Sequence, residues 1–165
     1  MDTLQVRGRV RVEDLPEDTA WPEHEIIDGS LLVTPWAGTT HQAVVGDAYF
    51  ALRSAAPGTV TVYPGANVRH TRDGESDLLI PDVVVAGADA GGGTYLDAHE
   101  VLLAVEVVSP STRLTDTVTE RAVYAEWGIP AYVVIDPVTR TSTWHGDPGA
   151  VAWARDALHA VLPPA

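Results

Sequence analysis

The 165-residue sequence contains no cysteine. Disulfides, thiolate metal sites and a cysteine nucleophile are thereby excluded. It contains no lysine either, and all ten basic residues are arginine. Arginine stays charged where lysine can give up a proton, so chemistry that needs a tunable ammonium group is closed to this chain. Long apolar runs are missing as well. The longest, Val101 to Val108, is too short to span a bilayer and is interrupted by Glu106. Met1 to Glu13 lacks the apolar segment of a secretory signal. The expectation is a soluble cytoplasmic protein with no membrane association.

Positive charge is scarce: 10 basic residues stand against 23 acidic ones, a formal net charge of −13. Such a field repels nucleic acid at long range. A local arginine patch or a bound divalent cation reverses it inside a cleft, so the balance weighs against a nucleic-acid substrate without excluding one. Apolar residues make up 45% of the chain, too many for a disordered segment. The length fits a single domain over residues 1–165, divided into an N-terminal arm (1–22), a core (23–145) and a C-terminal tail (146–165).

Arg7, Arg9 and Arg11 alternate with Gly8, Val10 and Val12, which reads as an extended arm, basic on one face. Glu13 to Glu23 reads as loop or short helix. Ile26-Ile27, Asp28-Gly29 and Leu31 to Val33 predict a hairpin on a tight turn. His41 to Ala55 has helical spacing through Val45, Tyr49 and Leu52, with Thr39 or Thr40 as cap and Pro57-Gly58 as stop. Thr59 to Tyr63 reads as a strand with Ala66 to His70 as its partner, followed by a polar turn at Thr71 to Asp77. Leu78 to Ala86 reads as one strand with Pro81 at its entry or at a bulge. Gly87 to Ala98 reads as a loop that lacks the lysine of a phosphate-binding loop. Val101 to Ser109, Ala131 to Asp136 and Thr141 to His145 read as strands. A helix capped by Thr115 or Asp116 runs to about Trp127 and is closed by Gly128. The tail from Val151 suits either strand or helix. Strands crowded in the middle with helices between them predict an α/β (α+β) fold, a mixed sheet flanked by helices.

Two acids stand out. Glu106 interrupts a strand that is apolar on both faces, the pattern of a covered central strand. Alternation places it with Leu102, Ala104 and Val108. An ionised glutamate there is costly unless it is protonated, paired or set against a cation. Asp82 similarly opens the apolar Val83 to Val85. If the two strands are neighbours, the carboxylates converge and repel each other unless a proton or metal intervenes. Oxygen ligands without neighbouring histidine or cysteine favour Mg²⁺ or Mn²⁺ over zinc. The plainer alternative is two strand-end acids in solvent or in structural hydrogen bonds. Arg121 and Tyr124 are spaced to share a helix face. Arg121 is then either a cation aimed at the acids or a solvated arginine.

The order Pro81-Asp82-Val83-Val84-Val85, then Val105-Glu106-Val107-Val108-Ser109-Pro110-Ser111-Thr112, then Tyr124-Ala125-Glu126-Trp127-Gly128 and Ala131 to Pro137, resembles the Uma family of restriction-endonuclease-like proteins, within the PD-(D/E)XK nuclease superfamily. Glu25 to Gly29 and His41 at a helix start fit the same pattern, and the resemblance spans about Glu23 to His145. It implies a restriction-endonuclease-like core that hydrolyses DNA phosphodiester bonds. It implies Asp82 and Glu106 as Mg (or Mn) ligands, the Val107 carbonyl completing the metal shell, Glu25 nearby in the catalytic set, and a homodimer. His41 is better read as packing near the site than as a ligand. The superfamily lysine would fall at Val108. In the Uma family it moves to the next helix, where the matching residue here is Arg121. That replacement implies weakened or specialised cleavage, or a catalytically inactive nuclease-like scaffold that binds nucleic acid or protein.

Overall fold

A computed structural model describes residues 9–14, 24–33, 37–108 and 120–165. Ten strands form two five-stranded sheets. The hairpin β1 (His24–Ile27) and β2 (Ser30–Val33) turns through Asp28 and Gly29, both at positive φ (50° and 72°). This is the geometry that lets a two-residue turn follow the strand twist, and the Asp-Gly pair favours it. Asp73 and Gly74 repeat the device at φ 53° and 81° between β4 (Val68–Arg72) and β5 (Glu75–Leu79). The first sheet has the order β2-β1-β5-β4-β7, where β7 is Leu96–Asp97.

The second sheet runs β10-β9-β8-β6-β3. Its members are β3 (Val60–Pro64), β6 (Val83–Gly87), β8 (Val101–Val107), β9 (Ala131–Asp136) and β10 (Thr141–Gly146). β8 is central, antiparallel to β6 and parallel to β9. Among the described residues three α-helices accompany the sheets: α1 (Thr39–Ala55), α2 (Arg121–Glu126) and α3 (Ala152–His159). On one face, α1 and α3 cover Leu103, Val105 and Val107 of β8 through Val44, Ala48, Leu52, Ala154 and Leu158. On the other, Ala104 and Val108 pack with Tyr124 of α2, with Trp127 just after it and with Val68, Leu79 and Leu96 of the first sheet. Each fully buried Leu or Val contributes about 1.5–3 kcal/mol, so both faces of β8 are anchored.

Several expectations from the sequence are corrected. The expected partner of β3 pairs instead with β5 and β7 in the other sheet, and β3 pairs with β6. The polar stretch at Thr71 to Asp77 is mostly strand, the end of the β4–β5 hairpin that extends past the residues paired with β1 and β7. Leu78 to Ala86 is not one strand. The chain leaves the first sheet after Leu79 and enters the second at Val83, because Pro81 has no N–H with which to continue a ladder. The α1 cap position is Gly38 rather than Thr39 or Thr40, with no side-chain capping bond. The buried α1 stripe is Val44, Ala48 and Leu52, with Val45 and Tyr49 only partly buried beside it. Leu102 packs toward α1 and not with Glu106, because a bulge pairs Val85 with Leu103 but Ala86 with Val101 and reverses the alternation there. The tail is helical. Most of the arm, the loop to Glu23, the segment Ser109 to Thr112 and the caps at Thr115 or Asp116 lie outside the described residues.

Candidate active site

The break at Ile80-Pro81-Asp82 is where the chain passes between sheets, and the acids gather there. Strands β6 and β8 pair Val83 with Val105, which sets Asp82 beside Glu106. Two hydrogen bonds cross between them. The Val107 N–H donates to Asp82 Oδ2 at 2.8 Å, and the Asp82 N–H reaches Glu106 Oε2 at 3.4 Å. Each acid is thus tied to the peptide next to the other.

Three other elements reach the pair. From α1, His41 Nε2 lies 3.2 Å from Asp82 Oδ2, with both side chains largely buried. From α2, the Tyr124 hydroxyl donates to Glu106 Oε1 at 2.7 Å. Tyr124 is only 1% exposed, wedged 5.0 Å from the Tyr132 ring and edge-on to Trp127. Gly128 at φ 77° lets α2 end by returning the Ile129 N–H to the Tyr124 carbonyl, which holds this helix turn in place. From β1, Glu25 Oε1 accepts the Ile80 N–H at 2.9 Å, just ahead of the crossing.

The electrostatics follow from this crowding. Burial raises the Glu106 carboxyl well above its ordinary value, and the negative charges of Glu120, Asp82 and Glu25 raise it further. The Tyr124 hydrogen bond opposes them. The Tyr124 phenol is raised too, by burial first and then by Glu106 and Glu120. Desolvation and like charge both disfavour the ionised carboxylate, and a cation would relieve both.

The structure therefore brings Asp82, Glu106 and Glu25 into one cluster, with the Val107 peptide inside it. Arg121 lies differently. It is exposed at the start of α2, and its charge acts on His145, whose imidazole is lowered by burial and then by Arg121. Arg121 and Tyr124 do not share a buried face. The residue one helical turn before Tyr124 on its own side is Glu120, 6% exposed. Glu120 is not conspicuous in the sequence as a site residue, although its i, i+4 spacing from Tyr124 carries the signal. A shallow cleft lined in part by Arg9, His70, Arg72 and Trp127 lies elsewhere and contains none of the candidate acids.

The donor set suits a hard cation, being carboxylate and carbonyl oxygen. Among the described residues no three Asp, Glu or His side chains close into a ready-made cage. Magnesium does not need one, since it keeps several waters and is often held by one or two carboxylates. Also among the described residues, no helix is long and apolar enough to cross a membrane.

The architecture is a pair of mixed sheets with acids gathered where the chain crosses between them. A crystal structure described as "a putative nuclease belonging to DUF820", from Anabaena variabilis ATCC 29413, superimposes with a TM-score of 0.64 at 17% identity, covering 81% of this chain and 76% of that one. The chain belongs to the Uma2 family, whose model, described as "Putative restriction endonuclease", matches residues 10–160. No curated protein sequence matches it.

Proposed function

We propose that the chain is a divalent-metal-dependent DNA endonuclease, with Asp82, Glu106 and the Val107 carbonyl holding Mg²⁺ or Mn²⁺. The supporting observation is the cross-bonded pair at the sheet crossing: two acids held adjacent by each other's peptides, one of them with its proton affinity raised by its neighbours. Bound there, the ion supplies Lewis acidity to the phosphodiester and a more acidic water. Glu106 must be ionised to bind it, and Tyr124 favours that state by donating to Oε1. The Val107 N–H keeps Asp82 pointed at the same spot. Glu25 adds negative charge at the rim while bracing the Ile80 peptide. Arg121 stays protonated at any working pH, so its part is to neutralise phosphate charge and not to take a proton from water. DNA is the substrate class that the family description supports. A homodimer would let two such sites address two strands.

The test is supercoiled plasmid incubated with Mg²⁺ or Mn²⁺. Nicking is expected, with loss in Asp82→Ala and in Glu106→Ala. Nicking that survives both substitutions sinks the assignment. Arg121→Lys belongs beside them, because a gain of activity would show that the arginine stands in the place of a catalytic cation.

A second reading has its own support. The residue just ahead of α2 that is buried on the Tyr124 side is an acid, Glu120, while Arg121 is exposed. With a net charge of −13, that suits a nuclease-like scaffold that binds without cutting. Calorimetry finding no divalent-ion binding at millimolar concentration would favour this reading over the first.

A further inference from the structure

We propose that His41 is a positioning residue which, with the Val107 peptide, clamps one oxygen of Asp82 and leaves the other to meet the cation. The inference rests on the metal-site reading and goes beyond it by assigning the ligand atom and the group that fixes it.

Both donors fall on the same oxygen. Asp82 Oδ2 accepts the Val107 N–H at 2.8 Å and faces His41 Nε2 at 3.2 Å. An ionised carboxylate can only accept, so Nε2 is the donor. Oδ1 accepts no hydrogen bond among the described residues. Two donors converging on one oxygen fix the rotation of the carboxylate about its Cβ–Cγ bond, and with it the direction of Oδ1.

Both donors also come from rigid elements. Val107 lies on β8, hydrogen-bonded on both sides within its sheet. His41 stands in the first turn of α1, a 17-residue helix sunk into the core through Val44, Ala48 and Leu52. The buried turns that follow therefore resist any drift of the imidazole. A surface histidine on a short, unanchored turn would not hold a carboxylate in this way. With Nε2 3.2 Å from Asp82 Oδ2, the imidazole faces the aspartate, and the contribution of His41 passes through that side chain. Groups that orient a metal-binding side chain typically change metal affinity by about ten- to a hundredfold when removed.

The experiment uses the full chain and two measurements. Titration calorimetry with MnCl₂ alone compares wild type, His41→Ala, His41→Gln and Asp82→Ala. Hydrogen exchange of the Val107 amide is followed by NMR in metal-free wild type and both His41 variants. His41→Ala is expected to weaken Mn²⁺ binding by about tenfold or more. His41→Gln, whose amide nitrogen can donate in place of Nε2, should recover most of that loss. Val107 exchange should be faster in His41→Ala than in the other two proteins. Unchanged Mn²⁺ affinity in folded His41→Ala, or equal losses in the Ala and Gln variants, overturns the positioning role while leaving the metal site standing. A wild-type chain that binds no Mn²⁺, or binding that survives Asp82→Ala, overturns the metal-site reading itself and the assignment of Oδ1 with it.

Discussion

Asp97 and Asp82 are both acids at strand ends, yet they are supported in opposite ways. Asp97 pairs in register with Arg69 across the parallel β4–β7 contact. The guanidinium meets its carboxylate at 2.9 and 3.2 Å and lies 5.3 Å over the Tyr95 ring. The Asp97 N–H is bonded to Glu100 at 2.8 Å in a capping box. Every charge there has a partner. Asp82 is held by a peptide N–H and an imidazole and faces a second acid. Among the described residues no arginine reaches either Asp82 or Glu106. Elsewhere arginines are spent on acids: Arg9 on Glu75, Arg72 on Glu126 and Arg140 on Asp47. A region that supplies its own counter-ion is structural. At Asp82 and Glu106 the described residues gather acids without an arginine, an arrangement that a cation would relieve, and that is the physical content of the functional proposal.

The largest effect that would break this contrast is catalytic. Asp82→Ala or Glu106→Ala should reduce plasmid nicking to background in folded protein, whereas Asp97→Ala should leave it unchanged. Equal losses at all three would erase the distinction.

Tyr124→Phe comes next. It leaves a buried carboxylate oxygen without its donor, which costs about 1–3 kcal/mol and is measurable by urea denaturation near neutral pH. It should also raise the Glu106 carboxyl further, since the phenol is what opposes the neighbouring charges.

A smaller effect tests the crowding. Glu106 binds its proton more tightly in the folded chain than in the unfolded one, so protonation favours folding. That contribution is fully present below the ordinary glutamate value of 4.5 and is lost as pH rises through the raised folded-state value. Glu106→Gln removes the charge and should melt a few degrees above wild type at pH 8 without metal. The gap should close as pH falls through the folded-state value and vanish below 4.5. A constant gap across that range would count against mutual repulsion among the acids.

The smallest effect is at the paired site. Arg69 and Asp97 are partly exposed, so breaking them with Asp97→Ala should cost only about 1 kcal/mol, pair and cap together, and that loss should shrink in high salt.

Much of the local structure was legible in residues close together in sequence. The Asp28-Gly29 turn, the α1 spacing, the Gly128 stop and the apolar run of β8 each encode their geometry within a few positions. The two acids were legible as well, because a carboxylate inside a covered strand is conspicuous wherever the strand ends up. Pairing across distance was not legible. Nothing near Ala66 to His70 says that β4 joins the first sheet, and the polar hairpin end at Thr71 to Asp77 resembles a turn until its pairing is known. Glu120 and Arg121 are adjacent in sequence, and only the packing of Tyr124 against Tyr132 decides which of them turns inward.

The sequence by itself determined which residues are chemically expensive to bury, because desolvation cost depends on residue type and on the apolarity of near neighbours. The tertiary structure alone decided what those residues meet. Glu106, Glu25 and His41 come from three separate elements and Asp82 from the crossing before β6, and their approach is set by strand order and by that crossing between sheets. Charge interactions act through space and fall off with distance, so a cluster assembled from residues far apart along the chain is invisible until the chain is folded.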